Sequence, residues 1–124
     1  MEHRRFHRIT FAAPGELRHQ GVNYQVRLEN ISLRGALVSS NECIMIPTEE
    51  QCTFHLKLEN DDVQIVVTAR VVHSFFSMVG LEFITMGQAS ELRLFELLKG
   101  ITDAPDTLNR EWQAIQTASS RSAE

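Results

Sequence analysis

Apolar and polar residues alternate in short runs from about Thr10 to Ile84, the period of strands with one buried and one solvated face. Val22, Tyr24, Val26 and Leu28 share one face of such a strand, and Asn23, Gln25 and Arg27 share the other. Cys52, Phe54, Leu56 and Leu58 repeat the pattern, with Thr53, His55 and Lys57 turned outward. Asn60-Asp61-Asp62 then predicts a turn into Val63, Ile65, Val67, Ala69 and Val71, making a hairpin. A last strand from Met78 to Ile84 places Val79, Leu81 and Phe83 on one side, and Gly80 leaves space for another backbone or side chain. Pro14-Gly15 and Pro47 predict breaks between the earlier runs.

The period changes after Ile84. Thr85-Met86-Gly87-Gln88 has the spacing of a capping box, in which a hydroxyl and an amide satisfy the first free N–H groups of a helix. Leu92, Phe95 and Leu98 follow at helical spacing beside Leu94, Leu97 and Ile101, and Gly100 is the expected stop. This helix is expected to cover one end of the sheet structure. A second helix is expected from Asp103, with Pro105 in its first turn and Leu108, Trp112 and Ile115 on one stripe. That stripe suits packing on its own domain or on a second chain. The tail SSRSAE has no apolar anchor and is expected to be loose.

Several short antiparallel strands followed by helices predict a mainly β fold, a small barrel whose closure removes exposed sheet edges. The length of 124 residues suits one such domain. No apolar run approaches a bilayer-spanning length and no signal-peptide core follows the charged start, so a cytoplasmic protein without membrane insertion is expected. Cys43 and Cys52 lack the close pairing of a zinc or redox motif and read as reduced, largely buried residues.

Charge is unevenly placed. Residues 1 to 27 carry a net +3, against −4 for the whole chain, so the remainder carries −7. An acidic body disfavours broad nucleic-acid binding, which needs a basic face to displace counterions from many phosphates. A small anion gripped by the basic N-terminal arm fits better.

Two stretches hold the candidate chemistry. One is Arg4-Arg5-Phe6-His7-Arg8; the other is ENISLRGALV, where Asn30, Ser32 and Gly35 have the spacing N-x-S-x-x-G. The pair resembles the PilZ domain, a family of bacterial receptors for cyclic di-GMP with the signatures R-x-x-x-R and [D/N]-x-S-x-x-G, the first just before a six-stranded barrel. Arg4 and Arg8 match the first, and Asn30, Ser32 and Gly35 the second. ARVVHSFFSMVGLEF looks like the last hairpin of the family, so the likeness covers roughly residues 4 to 100. The resemblance implies a six-stranded antiparallel PilZ-type barrel over 4-100 with a helix over 86-99. An arginine-rich flexible arm over 1-9, a second short helix over 101-116 and a disordered tail over 117-124 complete the expected organisation.

The residue types suit that ligand chemically. Guanidinium is a planar fork that binds phosphate oxygens or the guanine O6/N7 edge bidentately and stacks on bases. Arg4, Arg5 and Arg8 are therefore candidate cyclic di-GMP contacts. Asn30 and Ser32 offer donors and acceptors to a base edge, with an Asx- or ST-type turn as their structural alternative, and Gly35 lets backbone approach closely. His73 is a further candidate that could stack on a guanine. Arg34 is expected to point outward from the motif. His3 and His7 stand four apart without a third ligand, so no metal is expected. No phosphate loop, metalloprotease motif or nucleophile elbow is present, so an enzyme is not expected, and neither is any cofactor. The reading is a receptor that orders its arm over the barrel on binding cyclic di-GMP and signals to a separate, unidentified effector protein. The alternatives are a PilZ-like interaction domain without nucleotide binding and a small RNA-binding barrel.

Overall fold

The computed structural model describes residues 6–58 and 64–122. Six antiparallel strands, β1 (Ile9–His19), β2 (Val22–Ile31), β3 (Gly35–Ser39), β4 (Gln51–Leu56), β5 (Ile65–Phe75) and β6 (Met78–Met86), precede two helices, α1 (Gln88–Ile101) and α2 (Pro105–Ser122). They form a closed barrel in the order β1-β2-β3-β6-β5-β4. Closure comes from β1 and β4, whose register runs from Gly15↔Leu56 to Arg18↔Thr53. The alternation seen in the sequence fills the interior: Tyr24, Val26 and Leu28 from β2, Cys52, Phe54 and Leu56 from β4, and Val79, Leu81 and Phe83 from β6 are all buried. Val22 is half exposed because it lies at the start of β2, beyond the layer that packs.

Pro14-Gly15 is not a break. β1 runs through both residues, with its irregularity placed earlier, between Thr10 and Ala13. Gly15 is required by proximity: a Cβ there would lie 2.9 Å from a Phe54 ring carbon and 3.0 Å from the His55 carbonyl oxygen. Glycine thus lets β1 and β4 pass close enough to shut the barrel. The turn expected at Asn60-Asp61-Asp62, together with Val63, lies outside the described residues.

The helix start also differs from the capping-box expectation. Thr85 belongs to β6, paired with Thr68, and Gly87 is the N-cap with no side-chain hydrogen bond. Extending the ladder to Met86↔Val67 draws Thr85 into the sheet, so the helix begins at Gln88. Ser90 instead anchors the first turn by accepting a hydrogen bond from the Val66 N–H at 3.1 Å. Gly100 does not end α1, which continues to Ile101 and stops at an extended Thr102 whose N–H donates to the Leu98 carbonyl. Leu94 and Leu98 are fully buried where α1 meets the barrel, each contributing roughly 1.5–3 kcal/mol of burial.

α2 packs on its own domain. Leu108 and Ile115 are buried, and the Trp112 and Phe95 rings stack at 4.4 Å with 9° between planes. The helix is longer than its apolar stripe indicates: the backbone of residues 117–122 is helical where a loose tail was expected, and no proline or glycine follows Ile115 to stop it. Of the cysteines, only Cys52 is buried, which pushes its thiol up to about 11; Cys43 is exposed in the β3–β4 connection, contrary to the expectation that both are interior.

Candidate functional site

The connection between β2 and β3 is three residues, Ser32-Leu33-Arg34, folded into a tight turn. The Ser32 N–H donates to the Gly35 carbonyl at 2.9 Å, and the Ser32 hydroxyl donates to the same oxygen at 3.4 Å. That hydroxyl also accepts from the Arg34 N–H at 3.2 Å. Ser32 is buried, so the structure gives its side chain the turn-forming arrangement and keeps the hydroxyl below the surface. The Phe83 N–H donates to the Arg34 carbonyl at 2.8 Å and ties the turn to β6, while the Arg34 side chain is exposed.

Gly35 follows as the first residue of β3. A Cβ there would stand 2.7 Å from the Leu81 carbonyl oxygen and 3.4 Å from a terminal nitrogen of Arg8. The first contact involves backbone that cannot turn aside, so only glycine fits without a shift. The second shows where Arg8 lies: its guanidinium rests over Gly35, and its Nη1 donates to Asn30 Oδ1 at 2.8 Å. Arg8, Asn30 and Gly35, from the two separate motifs, are thereby brought to one spot on the outer barrel surface. Arg4 and Arg5 lie outside the described residues.

His73 joins the same face through sheet register. Asn30 pairs with Leu37, Leu37 with Gly80, and Gly80 with His73, which makes one cross-strand row over β2, β3, β6 and β5. Leu37 is flanked by buried Ala36 and Val38 and so points outward. The His73 ring fills the space that Gly80 leaves, with its Nε2 2.6 Å from where a Cβ would be. His73 is exposed and lies about 14 Å of sheet width from Asn30, three strand spacings of ~4.8 Å.

The adjacent row on this face is charged. Gly35 pairs with Glu82, and Glu82 with Arg70. Arg70 bonds Glu82 through Nη2 and Glu49 through Nη1, the latter at 2.7 Å. Its pKa is raised, chiefly by the hydrogen bond to Glu82 and by the two carboxylate charges. In the sequence, Arg70 and Glu82 fall between the apolar positions of β5 and β6 as ordinary outward strand residues, and no motif spacing singles them out.

The arm root is tied to the C-terminal helix. The His7 N–H donates to Glu111 Oε2 at 2.8 Å, and His7 Nε2 lies 3.5 Å from Asp103 Oδ1. Phe6 packs against the core, so Arg8 extends from an anchored segment. No cluster of three or more potential metal ligands occurs among the described residues. No helix there is long and apolar enough to cross a membrane. A separate concavity lined by His19, Glu50, Cys52 and Thr68 shares no residue with the Arg8 face. The hairpin tip between β5 and β6 leaves Phe75 and Phe76 exposed, and Phe76 adopts a left-handed φ of 55°.

Similar folds occur in solved structures. The PilZ domain of CeSA from a cellulose synthesizing bacterium superposes with a TM-score of 0.63 at 18% identity, over 76% of this chain and 96% of that one. The PilZ domain with c-di-GMP of YcgR from Escherichia coli gives 0.68 at 12% identity, over 95% and 98%. The inhibitor of motility of Bacillus subtilis gives 0.65 at 16% identity, over 78% of this chain and 49% of that one. At these identities the likeness is one of fold. A search of curated proteins found no significant match. The model of the PilZ domain family matches residues 2–100, which span the arm, both motifs, the whole barrel and nearly all of α1. The chain belongs to the PilZ domain family.

Proposed function

We propose that this domain is a cytoplasmic cyclic di-GMP receptor that binds the nucleotide on the outer face of β2, β3, β6 and β5, closes its N-terminal arm over it and signals to a separate protein. The observation that carries the reading is the contact of Arg8 with Asn30 above Gly35. It joins a planar cation that suits phosphate or guanine to an amide that suits a base edge, over a surface flattened by glycine. Arg4 and Arg5 supply further guanidinium groups from the same arm, and His73 stacks on a guanine at the far end of the row. Ser32 serves from beneath by holding the turn. The bound c-di-GMP of the similar Escherichia coli domain is consistent with the same ligand class here. The body of the protein is acidic, so a compact dianion held by an arm is favoured over an extended nucleic acid.

Calorimetric titration with cyclic di-GMP, GTP and a short RNA tests the reading. Saturable binding of cyclic di-GMP, with GTP and RNA much weaker, is the expected result. No heat with any of the three would favour an interaction domain that does not bind nucleotide. Preference for RNA would overturn the receptor assignment.

A further inference from the structure

Glu82 stands beside the proposed phosphate site with the wrong sign of charge. It is the register partner of Gly35, so its side chain leaves the same outer face one strand away. Arg8 lies directly over Gly35, within 3.4 Å of where a Cβ would be. A released Glu82 carboxylate would be close enough to pair with Arg8 and to repel any phosphate held by it. In the structure that carboxylate is taken up by Arg70, its neighbour on the side away from Gly35.

The clamp is built, not incidental. Arg70 is held from the other flank by Glu49 at 2.7 Å, and its Nε is buried with no hydrogen-bond partner among the described residues. The backbone that presents Glu49 has a left-handed φ of 82°, which disfavours a residue with a Cβ. Two backbone hydrogen bonds to β5 keep this segment in place, from the Glu49 N–H to the Val71 carbonyl at 2.7 Å and from the Val71 N–H to the Glu50 carbonyl at 3.0 Å.

Resting on the proposed cyclic di-GMP site, we infer that Arg70 is a positioning residue for it: by binding Glu82, it keeps that carboxylate away from Arg8 and from the phosphates. Arg70 touches no ligand in this arrangement. Its loss acts through Glu82, which makes the effect conditional on a second residue.

The test is a double-mutant cycle on the full chain, read by calorimetric titration with cyclic di-GMP at low and high salt. Wild type, Arg70→Met, Glu82→Gln and the double variant are compared, with thermal unfolding to establish that each is folded. One unscreened charge about 8 Å from the ligand corresponds to about two- to thirtyfold in affinity, depending on the local dielectric. Arg70→Met is expected to weaken binding within that range at low salt and less at high salt. Glu82→Gln should bind at least as well as wild type. The double variant should return to about wild-type affinity, and removing Arg70 should cost less in the Glu82→Gln background than in wild type, because the offending charge is gone and only the loss of the Arg70 charge remains. Arg70→Lys, which keeps a cation beside Glu82, should recover part of the loss. A purely structural Arg70 would give the same loss with or without Glu82, and that result would overturn the inference, as would unchanged affinity in Arg70→Met. If wild type does not bind the nucleotide, the proposed function and this inference fall together; if only the cycle fails, the receptor reading stands.

Discussion

Replacing Arg8 with alanine separates binding from folding. The side chain is exposed at the barrel surface, and its hydrogen bond to Asn30 joins a cation to a neutral amide in contact with solvent. Its removal frees an amide that water can solvate, so the stability cost should stay below about 1 kcal/mol. The binding cost is larger. Charge-assisted hydrogen bonds to phosphate contribute about 1.5–3 kcal/mol, which corresponds to roughly tenfold to 150-fold in affinity. Arg8→Lys keeps the charge without the planar fork and should fall between wild type and Arg8→Ala. Urea unfolding and calorimetric titration with cyclic di-GMP, run on all three proteins, give the two quantities independently. Unchanged affinity in a folded Arg8→Ala variant would remove Arg8 from the site and with it the reason for reading the Arg8–Asn30 contact as functional. A loss of several kcal/mol of stability would show that Arg8 holds the β2–β3 turn instead.

Two further outcomes follow from local geometry. Gly35→Ala would force a Cβ against the Leu81 carbonyl oxygen, so overpacking of about 1–3 kcal/mol should lower the melting temperature by about 4–12 °C; an unchanged melting temperature would contradict the close approach of β3 and β6. The Glu16 carboxyl is held below its ordinary value, first by the hydrogen bond from Arg18 and then by the Arg18 charge, Gln25 and Lys57, against the opposing effect of burial. A depressed folded pKa means that this stabilisation is present above the unfolded value of about 4.3 and is lost as pH falls through the folded value, so the acid limb of wild-type stability should be steeper than that of Glu16→Gln; parallel limbs would show that Glu16 has no part in it.

The local pattern of this chain determined its barrel. Period-two alternation is a property of neighbouring residues, and burying one face of each strand leaves few arrangements except closure. The β2, β4 and β6 faces were legible for that reason, as were the apolar stripes of α1 and α2. The two short motifs were legible because the resemblance rests on residue types at fixed spacing. Element ends were less so. Thr85 has the chemistry of a helix cap, yet the ladder to Thr68 takes it into β6, and Pro14-Gly15 reads as a break although β1 uses the missing Cβ to pass Phe54. Both outcomes depend on a strand distant in sequence.

What only the tertiary structure decided is which side chains share a surface. Arg8 and Asn30 are 22 residues apart, yet they meet because Ile9 pairs with Ile31 and brings the arm root beside the end of β2. His73 reaches the same face only through Leu37 and Gly80, and Arg70 acquires its place only because Glu82 stands between it and Gly35. Sequence records the chemistry of each residue and the face of its own strand. Convergence depends on strand order and register, which hydrogen bonds between distant segments establish only when the barrel closes.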